Sequence, residues 1–185
     1  MNENLRAALK MHELHHKMVE RDINHWLEYE LLSWNWWILF GFAIIPWIIW
    51  LKFSDRKRRL EIILIGTLAT IPTTYLDALG VDLSFWIYPV QLIPIAPRAM
   101  AFDMSMVSVT YMLIYQFFFK WKSYIIALLI MSLLFAFIGE PVSKAMNLTF
   151  YIRWKYWYSF LYYIALGITI KFIVEKCKGT YRKEV

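Results

Sequence analysis

Long stretches of apolar residues with almost no charge dominate the pattern of this chain. Five of them, each roughly 20 residues long and so sufficient to cross a bilayer as a helix, lie at about 33–53, 60–80, 101–119, 123–143 and 156–175. The first has tryptophans near both ends, where the aromatic belts of membrane helices lie. The pattern predicts an all-α integral membrane bundle with about five transmembrane helices.

Residues 3–30 show a different pattern, in which one helical face is apolar or aromatic. Its members recur at steps of three and four residues: Leu5, Leu9, His12, His16, Val19, Ile23 and Trp26. An amphipathic helix of this kind lies on the membrane surface or covers the protein's own face. The chain therefore divides into an N-terminal amphipathic helix at 1–30, a five-span membrane domain at 31–176 and a basic cytoplasmic tail at 177–185.

Composition and charge support the membrane class. Hydrophobic residues make up 60% of the chain and charged residues 18%, whereas about a quarter of a soluble domain is charged. The net charge of +6 comes from basic residues that flank the spans, so membrane lipid is the expected partner. A disordered chain, a nucleic-acid-binding domain and a secreted disulfide scaffold are excluded, the last because Cys177 is the single cysteine. A homo-oligomer or a partner subunit stays open.

Basic residues also predict the orientation. The densest cluster lies in the linker 52–61 and comprises Lys52, Arg56, Lys57, Arg58 and Arg59. The positive-inside rule makes this linker cytoplasmic, with the N-terminus outside and the C-terminus cytoplasmic. The charged first 30 residues predict no cleavable signal peptide. Segment 81–100 contains Pro89, Pro94 and Pro97 and few charges, which predicts a re-entrant or lid-like segment at the outer surface.

Three acids, Asp77, Asp103 and Glu140, lie inside or at the ends of predicted spans. Ionisable groups at membrane depth cost several kcal/mol unless they are paired, protonated or hydrated, which makes them candidate catalytic residues. All three fall near the outer ends of their spans. We expect them to meet in one outer pocket, with Asp77 the most buried and one carboxyl group kept neutral by its neighbours.

The residues around each acid indicate a separate interpretation for it. Thr70, Thr73 and Thr74 share a helical face with Asp77, so this polar stripe is expected to face protein or water. Asp103 also suits a helix start, where an acid caps free N–H groups. Glu140 has Lys144 four residues later, so a simple surface ion pair is a second interpretation there.

Aromatic residues are also predicted near the outer ends of the spans. The candidate substrate-binding residues among them are Trp86, Tyr88, Tyr111, Tyr115, Trp154 and Tyr158. Aromatic faces stabilise a carbocation by cation–π attraction. The alternative is that they form ordinary interfacial belts.

The run His12-Glu13-Leu14-His15-His16 matches the HExxH pattern of zinc hydrolases. On a helix, His12 and His16 would hold zinc while Glu13 acts as general base. No third ligand follows at a diagnostic spacing, so we expect neither a metal nor a cofactor, and a zinc hydrolase is the least favoured hypothesis. Histidines lining an interfacial helix face are the competing interpretation.

Three segments resemble a family of small multi-spanning membrane proteins of spore-forming Bacillus- and Clostridium-type bacteria. These are Leu31–Trp37, Ile45–Trp50 and Thr110–Gln116. The resemblance covers most of the chain after about residue 25. It implies a membrane fold in a bacterial plasma or spore membrane, and no particular activity.

A more distant resemblance, over about 65–116, is to the lycopene cyclase domain and related membrane terpene cyclases. Asp77-Ala78-Leu79-Gly80, Trp86, Tyr88-Pro89 and Pro97 carry it. Where that family has two acids directly after its proline, this chain has Arg98 and Ala99, with Asp103 nearby. The resemblance implies an acid-initiated reaction with Asp77 as the acid.

Two functional hypotheses follow. In the first, the chain is a redox-neutral terpenoid or polyprenyl cyclase in which a carboxylic acid protonates a hydrophobic isoprenoid polyene or epoxide. In the second, it is a non-enzymatic membrane protein, either a small transporter subunit or a structural protein, whose acids bind an ion or form interhelical hydrogen bonds. A closed aromatic cavity favours the first hypothesis, and a hydrated path to the inner surface favours transport.

Overall fold

The computed structural model describes residues 2–94 and 97–184, with side chains described up to residue 178. This part of the chain is mostly helical. Its α-helices are α1 Glu3–His25, α2 Trp34–Phe53, α3 Arg59–Asp82, α4 Ser108–Phe117, α5 Trp121–Leu134, α6 Glu140–Ala145 and α7 Tyr156–Glu184. Three π-helical turns lie at Trp26–Glu30, Phe102–Val107 and Phe135–Gly139. Strands β1 Trp86–Ile87 and β2 Phe150–Tyr151 pair antiparallel, with Trp86 opposite Tyr151.

Four helical stretches of the described chain are long and apolar enough to cross a membrane. They are Trp34–Phe53, Arg59–Asp82, Trp121–Ala145 and Tyr156–Lys178. The predicted all-α bundle is therefore confirmed, whereas the count of five spans is not. The predicted span at 101–119 contains the turn Phe102–Val107 and the ten-residue α4 within a helical stretch at 100–117, and this stretch is not among the four.

The chain nevertheless runs along the bundle five times between two ends. At one end, here called the linker end, the Asp55 N–H donates to Gln116 (3.1 Å) and Lys171 Nζ donates to the Phe119 carbonyl (2.7 Å). Lys178 pairs with Glu61 there at 2.9 Å. The opposite end carries segment 83–94, β2 and the start of α2. It is here called the cavity end.

The main core lies between α3, α4, α5 and α7. Fully buried side chains fill it, including Ile65, Tyr111, Met112, Tyr124 and Leu128, all 0% exposed. Glycines let these helices approach closely, as small residues do between membrane helices. A methyl group at Gly167 would meet Leu128, and one at Gly66 would meet Met112.

The N-terminal helix α1 does not cover the body of the protein. None of its residues is buried, and only its last turns, at Val19, Asp22 and Ile23, are partly covered. The predicted tail boundary at 177 is not a helix end, because α7 continues to Glu184. The side chains of the tail residues Arg182 and Lys183, and residue Val185, lie outside the described part.

Candidate functional site

Asp77, Asp103 and Glu140 line one cavity of about 110 Å³ at the cavity end. They come from α3, from the π turn before α4 and from the start of α6. Their exposed fractions are 6%, 5% and 7%. The structure thus brings the three acids together, but the prediction that Asp77 is the most buried is wrong, because the π turn carries Asp103 equally deep into the bundle.

Asp77 is held by two side chains of segment 83–94. The Trp86 indole N–H donates to Asp77 Oδ1 at 2.9 Å, and the Tyr88 hydroxyl donates to the same oxygen. Trp86 can lie across α3 because Gly80 offers no side chain, since a Cβ there would overlap the indole ring. The rest of the polar stripe also faces the interior: Thr70 pairs with Ser108 (2.6 Å) and Thr73 with Tyr162 (2.9 Å).

Asp103 lies in the second position of the π turn and not at a helix N-cap. Its predicted place in the first turn of a helix is confirmed, although it is not the N-cap residue. Its backbone carbonyl accepts a hydrogen bond from Ser108 Oγ at 2.5 Å. Its side-chain Oδ2 is buried without a hydrogen-bond partner. Asp77 and Asp103 line the same cavity, so the ionisation of one disfavours the ionisation of the other.

Glu140 follows the π turn Phe135–Gly139 and faces β2 and α7. Tyr151 and Ser159 lie beside its carboxyl group in the cavity wall, and Trp154 Nε1 donates to Ser159 Oγ at 2.7 Å. Oε2 of Glu140 has no partner. Lys144 lies over the ring of Phe150, 5.2 Å from its centre, so the predicted Glu140–Lys144 surface pair is wrong and Glu140 belongs to the interior.

The phenols that donate to these acids stay protonated. Burial raises the pKa of Tyr88 well above its ordinary value, and the neighbouring Asp77 and Asp103 raise it further. Burial and Glu140 raise the pKa of Tyr151 in the same way. Because a phenol in such surroundings keeps its proton at neutral pH, both hydroxyl groups act as hydrogen-bond donors to the carboxyl groups.

Aromatic side chains form a large part of the cavity wall. Eight line it: Trp86, Tyr88, Phe102, Phe135, Tyr151, Trp154, Tyr162 and Tyr163. The rings of Trp86 and Trp154 meet edge to face with centres 4.9 Å apart. The described lining contains no Lys, Arg or His. No group of three or more His, Cys, Asp or Glu in the described chain is arranged to hold a metal ion.

Three predicted substrate-binding residues do not line this cavity. Tyr111 lies in the main core and donates to the Tyr163 carbonyl at 2.7 Å. Tyr115 bonds to Glu61 near the linker end, beside Arg58, so its predicted position in the outer half is wrong. Tyr158 is 37% exposed and packs on the outer side of Trp154. Helical spacing places Tyr111 and Tyr115 on one face but does not say towards which neighbour that face turns.

A latch formed by residues 22–36 holds the cavity cover, segment 83–94, from outside. Glu30 Oε2 accepts from the Gln91 N–H at 2.7 Å, and Trp26 Nε1 donates to the Gln91 carbonyl at 2.9 Å. Trp36 Nε1 donates to the Leu92 carbonyl at 3.1 Å. Segment 83–94 thus has an irregular backbone that is bonded to the protein at Gln91 and Leu92.

The sequence analysis missed the partners of the acids. Tyr151, Ser159, Tyr162 and Tyr163 all reach the cavity, and Glu30 is a fourth buried acid with an exposed fraction of 6%. Burial raises the pKa of Glu30 above its ordinary value of 4.5 despite the Gln91 N–H and His25 beside it. The one sequence feature that could have identified Glu30 is its position directly before the first predicted span.

Comparisons with models of protein families, with curated proteins and with solved structures find no match for this chain.

Proposed function

We propose that this chain is an integral membrane protein that crosses the bilayer five times, with α4 and the π turn before it as the central crossing. Four helices have the required length and composition. The central crossing is shorter than the other four and packs among them, where α4 buries Tyr111, Met112 and Tyr115. Its ends therefore need not reach the lipid headgroups. The basic linker Lys52–Arg59 favours a cytoplasmic linker end. Assignment to a bacterial plasma or spore membrane rests on the family resemblance.

The function best supported by the cavity is acid-initiated, redox-neutral cyclisation or isomerisation of a lipid-soluble terpenoid or polyprenyl chain. One observation carries this proposal. Three carboxyl groups from three separate helical segments face a single cavity whose wall carries eight aromatic residues and whose described lining has no basic side chain. An acid that gives up a proton and a π-face that stabilises the resulting cation are the two components that such a reaction needs.

The hydrogen bonds support a division of roles between the acids. Three carboxyl groups in one cavity whose described lining holds no basic side chain cannot all be ionised at low dielectric, so the cavity retains at least one proton. Asp77 receives two donors, which favour its carboxylate form. Asp103 Oδ2 receives none. The proposal therefore makes Asp103 the proton donor and Asp77 the carboxylate beside it, instead of Asp77 the donor as the cyclase resemblance implies.

The reaction conserves atoms and electrons. The Asp103 proton adds to one carbon of a terminal C=C bond, or opens an epoxide, and leaves a carbocation on the adjacent carbon. A second C=C bond of the same chain attacks that carbon and closes a ring. The new cation then loses a proton to Asp77 or Glu140, which re-forms an alkene. Transfer of a proton back to Asp103 restores the site, so the product is an isomer of the substrate.

The cavity volume limits what can enter. A cavity of about 150 Å³ holds benzene, so about 110 Å³ accepts one isoprene unit and not a whole polyprenyl chain. The reacting end would occupy the cavity while the remaining chain lies along the apolar outer surface of the bundle. A substrate dissolved in the bilayer satisfies both conditions.

Turnover in D₂O tests the proposal. Purified full-length protein in phospholipid vesicles would be incubated in D₂O with squalene, oxidosqualene and an acyclic carotenoid. We expect an isomeric product carrying one solvent deuterium, detected by mass spectrometry. Asp103→Asn and Asp77→Asn should abolish it, whereas Glu13→Gln on the exposed face of α1 should leave it unchanged. No deuterated isomer from any of these substrates would overturn the cyclase proposal.

A second candidate, binding of a small organic cation without turnover, is favoured by the same carboxyl groups and aromatic faces. Aromatic walls with an acid recognise alkylammonium groups. Calorimetric titration with tetramethylammonium, compared between the wild type and Asp103→Asn, separates the two candidates. Transport across the bilayer is less favoured, because fully buried apolar residues such as Ile65, Met112 and Leu128 separate the cavity from the linker end in the described core.

A further inference from the structure

The most exposed helix of the described chain carries every histidine of the sequence. His12, His15, His16 and His25 all lie in α1. The apolar face defined above runs along this helix, and its two halves differ in exposure. Val19, Ile23 and Trp26 are partly covered, whereas Leu5 is 50% and Leu9 49% exposed. His12 and His16 lie within the uncovered half and are themselves exposed.

Only the last turns of α1 are tied to the body. Asp22 pairs with Arg98 at 3.1 Å, and Trp26 donates to the Gln91 carbonyl at 2.9 Å. Beyond these contacts, the uncovered N-terminal half extends away from the bundle. A helix with one apolar face exposed in water is unfavourable unless that face meets an apolar phase.

The neighbouring helix identifies that phase as lipid. Only three residues, Leu31, Leu32 and Ser33, separate the turn Trp26–Glu30 from α2. Only 11% of the apolar stretch of α2 is buried within the protein. Trp34 at the start of α2 is 78% exposed and Trp37 is 49% exposed. Exposed tryptophans at the start of a span lie at the headgroup level. The C-terminal end of α1 therefore lies at the membrane surface, beside the apolar face of α2.

The charge of α1 changes with pH. Four Lys and Arg and four Asp and Glu cancel between Glu3 and His25, so the helix is neutral with uncharged imidazoles and reaches +4 when all four are protonated. Histidine is the residue type that gains charge between pH 8 and pH 5. The charged or titratable groups within a turn of His12 and His16 all lie on α1 and are Lys10, Glu13, His15, Lys17 and Glu20. Glu13 is already paired to Lys17 at 2.6 Å.

We propose that α1 docks on the lipid surface and that its histidines make this docking depend on pH and on lipid charge. On an anionic membrane, acidification strengthens docking, because each imidazolium is attracted to the headgroups. On a zwitterionic membrane, acidification weakens docking, because His12 and His16 lie in the face that inserts and a charged group there resists insertion. The inference rests on the proposed membrane crossing of α2, and not on the chemistry of the cavity.

A fluorescent label on the inserting face tests the proposal. Full-length protein carrying Cys177→Ser and Leu9→Cys, labelled with the fluorophore NBD, would be reconstituted in phosphatidylcholine vesicles with or without phosphatidylglycerol. From pH 8 to pH 5, we expect the ratio of bilayer-immersed to water-exposed label to rise about fivefold or more in vesicles with phosphatidylglycerol, because each basic charge near an anionic surface contributes about 1 kcal/mol. It should fall in pure phosphatidylcholine. A label at Lys10→Cys, on the opposite face, should stay in water throughout.

Separate measurements distinguish a failure of the histidine role, of the docking and of the membrane crossing. Replacing all four histidines by Gln should abolish both pH responses, and a response that survives would overturn the role of the histidines. A label at position 9 that stays in water in both vesicles at both pH values would overturn docking itself. Resistance of the protein to carbonate extraction reports the membrane crossing separately, and Asp103→Asn should leave the label response unchanged even where it abolishes turnover.

Discussion

The buried carboxyl groups of this protein differ mainly in what donates to them. Asp77 Oδ1 accepts from Trp86 and Tyr88, while Asp103 Oδ2 has no donor. A carboxylate oxygen that accepts two hydrogen bonds is favoured in its ionised form, and one without a donor is not. Chemically identical side chains therefore take different roles according to their partners.

Tyr88→Phe removes one donor and keeps the ring. Because a buried oxygen loses a partner, we expect a loss of about 1–3 kcal/mol in the free energy of unfolding, measured by SDS titration in mixed micelles. Tyr75→Phe is the matched control, since Tyr75 lies on the same helix as Asp77 and is 67% exposed. It should change stability by less than about 0.5 kcal/mol. Equal effects of the two substitutions would contradict the role of Tyr88.

Glu30 gives a pH-dependent prediction. Its folded-state pKa is raised by burial, so its contribution to stability is fully present below its ordinary pKa and is lost as pH rises through the raised value. Glu30→Gln retains an acceptor for the Gln91 N–H and does not titrate. We expect this variant to be more stable than the wild type at neutral pH, with the difference shrinking towards pH 4.5.

Thermal unfolding in detergent between pH 4.5 and pH 8 measures this difference. Glu28→Gln, at an exposed position of the same turn, is the control and should follow the wild type. A Glu30→Gln curve parallel to the wild-type curve would show that burial of Glu30 does not affect stability.

At the scale of elements, each π turn presents a buried acid. Glu30 ends the first, Asp103 lies within the second and Glu140 follows the third. A π turn inserts one extra residue and so shifts the direction of the side chains around it, which is why such turns are frequent at functional sites. Here they turn Asp103 and Glu140 towards the cavity and Glu30 towards its cover.

Gly80→Ala tests the packing of the cover on α3. The new methyl group would overlap the Trp86 indole ring, and overpacking of this kind costs about 1–3 kcal/mol. We expect lower stability and faster hydrogen exchange in segment 83–94. Gly41→Ala is the control, because its methyl group would meet Ile45 Cδ1 at 3.5 Å, an ordinary contact. Unchanged exchange in the cover of Gly80→Ala would contradict this packing.

At the scale of the whole molecule, the two ends of the bundle have different chemistry. The linker end carries the basic cluster Lys52–Arg59 and the ion pair between Glu61 and Lys178. The cavity end carries the three acids, the aromatic wall and the latch.

Cysteine labelling from outside intact cells tests the orientation. In a Cys177→Ser background, we expect Phe150→Cys to react with a membrane-impermeant reagent and Lys57→Cys to be protected, because the positive-inside rule retains the linker in the cytoplasm. Both positions are exposed, so protection reports the membrane and not burial. Labelling at position 57 but not at position 150 would reverse the proposed topology.

The sequence by itself determined the helices, the apolar spans and the requirement that Asp77, Asp103 and Glu140 find an interior site, because apolar periodicity and the cost of a bare charge are local properties. It could not determine that Tyr151 and Ser159 reach Glu140, that Glu30 bonds to the cover or that Tyr115 turns to Glu61 at the opposite end. The bonds made by Glu30 and Tyr115 join residues 61 and 54 positions apart. Such contacts depend on how helices rotate and pack against one another, which only the tertiary structure decides.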